Sequence, residues 1–181
     1  MGVRRVVTGH DENGRSVFTA DESVEPVTVG LYPGWEFFAL WGGDRVPTFP
    51  DDGSEPPWST YFPGLGGFRF SLSTIPPEGL EVDPGLDLAA AELEVERALP
   101  GMNAHIETAD AGMHTTASID FEVVLAGEVI LELDDGAQRL LRTGDTIVQN
   151  GTRHCWRNPG TEPVLLAVFM IGVAHASRPP V

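Results

Sequence analysis

The alternation of apolar and polar residues along the chain indicates β-strands over most of its length. Residues 128–135 (EVILELDD) alternate apolar and acidic side chains over most of the segment, as a strand does when one face is buried and the other is in water. Turn sequences rich in Gly and Pro separate the apolar runs, and long helical periodicity is nearly absent. The pattern therefore predicts an all-β fold built from many short strands.

The first 85 residues are predicted to form an N-terminal β extension with one long irregular loop. The predicted strands of this extension are residues 3–8, 24–31, 36–41 and 68–73. The loop, residues 48–65, is rich in Pro, Asp, Gly and Ser but also contains Trp58, Tyr61 and Phe62. We expect these aromatic side chains to cover an apolar surface.

One segment, residues 86–99, is predicted to be helical. It consists mostly of good helix formers and is followed by Pro-Gly. Its acidic residues predict a helix on the surface, exposed to water. After it, the predicted strands lie in residues 103–109, 119–127, 128–136, 138–145, 146–151, 154–158 and 164–174. Strands at this spacing are typical of a jelly roll, so we expect a barrel at 100–174 and a tail at 175–181.

Charge and composition exclude several classes of function. The chain of 181 residues has a net charge of −16, and all of its 11 Lys+Arg residues are Arg. The negative charge argues against nucleic acid as a partner. The absence of Lys excludes a Schiff base, covalent pyridoxal phosphate and a P-loop for nucleotides. Cys155 is the single cysteine, which excludes internal disulfides and multi-cysteine zinc sites. No apolar run is long enough to predict a membrane span.

Two of the histidines lie in segments that favour a metal site. His114 precedes the strand at 119–127, and His154 follows the strand at 146–151. In the strand between them, Asp120 and Glu122 share one face because side chains alternate along a strand. Two imidazoles and one carboxylate inside a barrel suit Fe, Mn, Zn or Ni and leave positions open for substrate.

Two segments resemble the paired signature motifs of the cupin superfamily. In residues 112–127 (GMHTTASIDFEVVLAG), Asp120 stands where the family has a Glu, seven residues before Gly127. In this first motif Thr116 replaces the second His of the family's HxH. Residues 144–158 (GDTIVQNGTRHCWRN) match the second motif at Gly144, Gly151, His154 and Asn158, with Gln149 in place of its Pro.

The resemblance implies a small bacterial single-domain cupin with the double-stranded β-helix (jelly-roll) barrel. It implies that one divalent transition metal is held by His114, Asp120 and His154. Glu122 shares the inward face of Asp120, which makes it the candidate general acid/base, although it could instead be an additional ligand. His105 could replace the missing ligand, although lining the pocket or packing is the simpler role for it. Trp156 shares the face of His154 and could line the pocket, whereas Cys155 points to the opposite face as a buried apolar side chain. We expect the aromatic residues at 35–41 to lie in the core.

The expected function is metal-dependent chemistry on a small oxygenated organic molecule, of the dioxygenase or the lyase/isomerase type. Oxygenation, decarboxylation, dehydration and isomerisation all stay open, because the ligand set does not separate them. The alternative is a non-catalytic cupin that binds or senses a small molecule. We further expect a cytoplasmic homodimer with no membrane partner, the dimer being implied by the resemblance.

Overall fold

The computed structural model describes residues 2–107, 109–110 and 112–176. Strands occupy much of these ranges, with one α-helix between the fourth strand and the fifth. In chain order the elements are β1 (Val3–His10), β2 (Ser16–Val24), β3 (Glu36–Gly43), β4 (Phe68–Ile75), α1 (Leu88–Ala98), β5 (Ser118–Ala126), β6 (Glu128–Glu132), β7 (Gln138–Arg142), β8 (Thr146–Asn150), β9 (Cys155–Arg157) and β10 (Val164–Gly172). No helix in the described ranges is long and apolar enough to cross a membrane.

The strands form two larger antiparallel sheets and a separate hairpin. The larger sheet has the order β3-β4-β10-β5-β8, and the smaller one has the order β7-β6-β9. Buried side chains from both sheets, among them Val124, Val129 and Leu166, form one core cluster. This arrangement confirms the all-β prediction and the jelly-roll barrel.

The N-terminal region is joined closely to the barrel. Hairpin β1–β2 packs Val3 and Val24 against the face of the larger sheet that points away from the core, next to Phe38 and Leu72. Strands β3 and β4 are themselves strands of the larger sheet. The barrel therefore includes strands from before residue 100, and the division of the chain into an extension and a barrel stays a prediction.

Two glycines of the signature motifs occupy conformations that other residues rarely adopt. Gly127 has φ 87° and Gly144 has φ 93°. At Gly127 an added Cβ would also lie 2.9 Å from Cγ2 of Val164. The chain turns sharply at both places, so glycine is explained by the backbone alone.

Helix α1 lies at the surface, with most of its residues exposed. Asp87 caps its first turn by accepting hydrogen bonds from the amides of Ala89 and Ala90. One narrow side of the helix is buried, because Val95 packs with Leu99 beside Val29 and Phe37. An apolar stripe among the acidic residues thus attaches this surface helix to the core.

Two of the strand predictions need correction. After Val24, which ends β2 (Ser16–Val24), residues 25–31 contain only a bridge at Val27. The segment 103–109 is mostly turn with a single bridge at Ile106, and one of its residues lies outside the described ranges. Of the predicted tail, residues 177–181 also lie outside those ranges.

Candidate active site

The inner face of β5 places two carboxyl groups inside the barrel. Asp120 and Glu122 are each 4 % exposed. Across the sheet Asp120 pairs with Gln149 and Met170, and Glu122 pairs with Ile147 and Val168. Oδ1 of Asp120 and Oε2 of Glu122 are buried and have no hydrogen-bond partner in the described structure. Such atoms need a ligand, an ion or water to compensate their burial.

Burial changes the proton affinity of both carboxyl groups. It raises the pKa of Asp120 to about 6, with a hydrogen bond from Ser118 acting against the shift. Burial, followed by the charge of Asp120, raises the pKa of Glu122 to about 8. In the metal-free protein, Glu122 therefore holds a proton at neutral pH and can release it to a basic atom.

The two predicted histidines lie side by side, with their ring planes tilted by 50°. His114 and His154 form an antiparallel bridge, and their ring centroids are 4.1 Å apart. Nδ1 of each ring lies within hydrogen-bond distance of a backbone carbonyl two residues earlier, that of Gly112 or of Thr152. A carbonyl only accepts, so Nδ1 carries the hydrogen and the neutral ring keeps its lone pair on Nε2. Burial and the proximity of His114 lower the pKa of His154 to about 3, which keeps that ring neutral.

These residues line a cavity of about 350 Å³. The polar groups at its wall are few, and most of the lining is apolar or aromatic. The aromatic lining consists of Tyr32, Trp35, Phe37, Tyr61, Phe62 and Trp156. Trp35 and Phe37 pack with the core, as expected, and also line the cavity, and Trp156 lies beside His154 as predicted. Burial raises the pKa of Tyr61 to about 12, so its hydroxyl stays protonated.

Arg69 holds the loop that supplies Tyr61 and Phe62. This side chain is 2 % exposed and donates hydrogen bonds to the carbonyls of Thr60 and Gly43. It also pairs with the carboxylate of Asp44 and lies over the ring of Trp58. The expectation that the loop covers an apolar surface is therefore correct. Sequence reasoning missed Arg69, although a lone Arg in the apolar segment FRFSLSTI was a usable signal.

A second arginine joins three segments beside the histidine pair. Arg153 precedes His154 and forms ion pairs with Glu107, Asp110 and Asp134. Two of these partners lie in the turn-rich segment before β5, from which Met102 and Ile106 line the cavity. Arg153 thus fixes the cover of the cavity relative to His154. Sequence reasoning also missed this residue, because its partners lie far away along the chain.

The other residues singled out from the sequence have structural roles. His105 contacts the ring of Phe62 on the side away from the cavity, and its Nδ1 lies 3.0 Å from the carbonyl of Gly101. Cys155 is buried, as predicted. Asn158 is buried and links the carbonyls of Ile75 and Glu162 to the amide of Gly160.

The residues fit a divalent metal in their chemistry and only partly in their arrangement. Two imidazoles, of which His154 is kept neutral by burial, and a buried carboxyl group with an unpartnered oxygen are suitable types of donor. However, no group of three or more His, Cys, Asp or Glu side chains in the described ranges is arranged to hold an ion. The structure brings His114 to His154 and Asp120 to Glu122 as two separate pairs. The three-ligand set of His114, Asp120 and His154 stays a prediction.

Comparison with known proteins identifies the family. Residues 105–171 match the family model for the cupin domain. Phomopsin biosynthesis cluster protein C' of Diaporthe leptostromiformis is 34 % identical over 155 residues, which are 85 % of this chain and 69 % of that protein. Cupin-domain-containing oxidoreductase fogC of Aspergillus ruber is 30 % identical over 157 residues, 86 % of this chain and 64 % of that one.

Two further similarities are a short sequence match and a match to a solved structure. Oryzines biosynthesis cluster protein J of Aspergillus oryzae is 46 % identical over 57 residues, and the match spans 32 % of each protein. The predicted ethanolamine utilization protein Q of Salmonella typhimurium has 11 % identity and a TM-score of 0.45, with 96 % of this chain and 99 % of that one covered. The three curated relatives are fungal, so the expected bacterial origin is not confirmed.

Proposed function

This chain belongs to the cupin family, and on that premise we propose that it is a metal-dependent enzyme acting on a small organic molecule in the aromatic cavity. The names of its relatives, which include a cupin-domain-containing oxidoreductase and biosynthesis cluster proteins, support an enzyme role in a biosynthetic pathway. The proposal includes oxygenation, decarboxylation, dehydration and isomerisation as reaction types.

The proposal rests chiefly on the pair His114 and His154. Their rings lie 4.1 Å apart at the wall of the cavity, and each directs Nδ1 to a carbonyl. Such a backbone contact fixes the orientation of a metal-ligating histidine and its tautomer. We propose that these two rings hold the ion, with Asp120 as the carboxylate ligand.

The protein side chains have separate tasks in this proposal. A bound first-row metal would supply Lewis-acid or redox chemistry to a substrate in the cavity. Glu122 holds a proton on its carboxyl group and exchanges it with the substrate as general acid/base. The aromatic rings of Trp35, Tyr61 and Phe62 exclude water and position the substrate.

Metal analysis tests the proposal directly. Protein purified without chelators should contain about one first-row metal ion per chain, and His154→Ala should lose it. Removing one of the ligands should weaken binding by more than the roughly 10–100-fold typical of a change outside the ligand set. His105→Ala is the matched control, since this nearby histidine packs against Phe62 on the side away from the cavity. Wild-type metal content in His154→Ala would contradict the assignment.

A non-catalytic binding protein is the alternative, and the largely aromatic lining of the cavity favours it. The two proposals differ in whether the bound molecule is converted to a product. The molecule to test is one that co-purifies with the protein or stabilises it. A catalyst converts this molecule, and the variant Glu122→Gln should then lose the conversion while it retains the metal. A binding protein returns that molecule unchanged from the wild-type chain under air and with metal present.

We also propose that the chain forms a homodimer through the outer face of the larger sheet. Phe121 and Phe169 are neighbours on this face and are 43 % and 39 % exposed. Phe70 continues the row on β4, and Val148 continues it on β8. A contiguous exposed apolar row of this kind is typical of a protein interface. A cytoplasmic location stays part of the proposal.

A further inference from the structure

We propose that Phe62 limits the length of the ligand that the cavity can hold, because its ring is the wall between the cavity and a second space behind it. This inference rests on the proposed function in taking the cavity as the ligand site, and it names a residue that determines specificity there. It follows from the lining of the two spaces, from the contacts of the ring and from the way its backbone is held.

The outer recess is a space of about 230 Å³ beside the cavity. Three segments form most of its wall, at 60–65, 100–105 and 173–175. Leu65, Ala104 and Ala174 are exposed, so the recess opens to solvent on that side. No Asp, Glu or Arg is among the described residues that line it. The outer recess can therefore hold an apolar part of a ligand.

Phe62 lies between the cavity and the outer recess. Among the described residues it alone lines both spaces. On the recess side its ring centroid is 4.8 Å from that of His105. On the cavity side it is 6.4 Å from that of His114, with an angle of 28° between the ring planes. One aromatic ring therefore separates the two spaces, and its removal would join them.

The backbone of Phe62 is held independently of its ring. Oγ1 of Thr60 donates a hydrogen bond of 2.7 Å to the carbonyl of Phe62, and the amide of Tyr61 donates one of 2.8 Å to the carbonyl of Pro100. Arg69 in turn binds the carbonyl of Thr60. Replacing the ring should therefore leave the loop in place while it opens the wall.

The wall should have a measurable effect on ligands of increasing length. The cavity has a volume of about 350 Å³, and an apolar protein cavity of about 150 Å³ is large enough to bind benzene. Each further CH₂ group that is buried contributes about 0.8 kcal/mol, which is roughly fourfold in affinity. This gain should stop when the chain reaches the ring of Phe62, because forcing extra groups into a packed space costs free energy. Without the ring, the gain should continue into the outer recess.

Alkylbenzenes from toluene to hexylbenzene test this inference. They carry no charge and no atom that coordinates a metal, so neither a bound ion nor the protonation of the cavity carboxyl groups determines their binding. Displacement of the fluorescent reporter 1-aminonaphthalene measures the affinity of each probe. In the wild-type chain the affinity should level off before hexylbenzene. The ratio of hexylbenzene to toluene affinity should be at least tenfold higher in Phe62→Ala, and Phe62→Leu, the milder change, should raise it by less.

A variant of the outer recess tests whether the added length lies there. Ala104 is exposed and lines the recess but not the cavity. Ala104→Phe alone should leave the wild-type ratio unchanged within about twofold, because the ligand does not pass Phe62. In the Phe62→Ala background, Ala104→Phe should reduce the gain to less than about threefold. Circular dichroism and the midpoint of urea unfolding check that each variant is folded.

The results separate this inference from the proposed function. A higher ratio in Phe62→Ala supports the length limit even if metal analysis finds no metal site, which would overturn only the enzyme proposal. The inference is overturned if no probe displaces the reporter, if the wild-type affinity still rises at hexylbenzene, or if neither replacement of Phe62 raises the ratio. It is also overturned if Ala104→Phe has the same effect in both backgrounds, or if the ratios differ between chelator-treated protein and protein incubated with Zn²⁺.

Discussion

Each face of the larger sheet carries side chains that are unusual for its position in a globular domain. The face toward the cavity bears buried polar side chains on three of its strands, namely Ser71 and Ser73 on β4, Asp120 and Glu122 on β5, and Gln149 on β8. The face toward solvent bears partly exposed Phe70, Phe121, Phe169 and Val148 on strands β4, β5, β10 and β8.

This difference shows which side chains of the sheet are explained by function and not by folding. Burying unpaired polar groups costs free energy, and exposing apolar groups forgoes the gain of burying them. Neither face is therefore explained by the stability of a single chain. The inner polar groups correspond to the proposed ligand and metal site, and the outer apolar row corresponds to the proposed second copy.

The largest expected effect concerns the inner face and pH. In metal-free protein the raised pKa values of Asp120 and Glu122 mean that the folded state keeps protons that the unfolded state releases above about pH 4. Their contribution to stability is full below that pH and is lost as the pH rises toward about 8. For Glu122, the shift from 4.5 to about 8 corresponds to a change on the order of 5 kcal/mol.

Urea unfolding with chelator present, at pH 5 and at pH 8, measures this change. The double variant Asp120→Asn/Glu122→Gln retains the rest of the negative charge of the chain and should lose markedly less stability between the two pH values. An equal loss in wild type and variant would mean that the two carboxyl groups are not held in an unfavourable environment.

A smaller effect is expected from removing apolar bulk on either side of the sheet. Leu166→Ala, at a buried position in the core, should lower the free energy of unfolding by about 2–5 kcal/mol. Leu125→Ala, at an exposed position on the outer face of β5, should cost less than about 1 kcal/mol at a dilution where the chain is monomeric. Chemical denaturation of both variants checks the contrast, which fails if the two losses are similar.

The smallest effect on the free energy of unfolding is expected from the exposed apolar row on the outer face of the larger sheet. Changes there should alter the oligomeric state instead. Phe121→Ser/Phe169→Ser should change the stability of the monomer by less than about 1 kcal/mol and convert the dimer to monomer. Light scattering coupled to gel filtration measures the mass. Phe18→Ser, on the hairpin and 80 % exposed, is the control that should remain dimeric. A wild-type chain that is monomeric at tens of micromolar would contradict the dimer.

The local features of the fold could be predicted from the sequence. Alternation and apolar runs between Gly-bearing turns identified the strands β5, β6, β8 and β10, and the period of a strand placed Asp120 and Glu122 on one face. The strand predictions succeeded because each depends on residues close together in the chain. The signature motifs singled out His114 and His154, which the structure brings into contact, and their role as metal ligands stays a prediction.

The remaining features depend on contacts between distant segments. Nothing near Arg69 in the chain indicates that it binds the carbonyl of Thr60, and nothing near Trp35 indicates that it lines a cavity as well as packing with the core. The helix was assigned to solvent because its acidic side chains outnumber the buried Ala91, Val95 and Leu99. A short apolar stripe is recognised only when the surface that it packs on is known.

The guanidinium of Arg69 has a consequence for how this family of sequences can vary. The guanidinium binds the carbonyls of Thr60 and Gly43 directly. Both ends of the segment between these two residues are therefore fixed on the barrel, whatever the length of the segment. Insertions and deletions between residues 46 and 56 should therefore accumulate among relatives without displacing Tyr61. Replacements of Arg69, Asp44 and Trp58 should instead occur together, since each loses its partner when another changes.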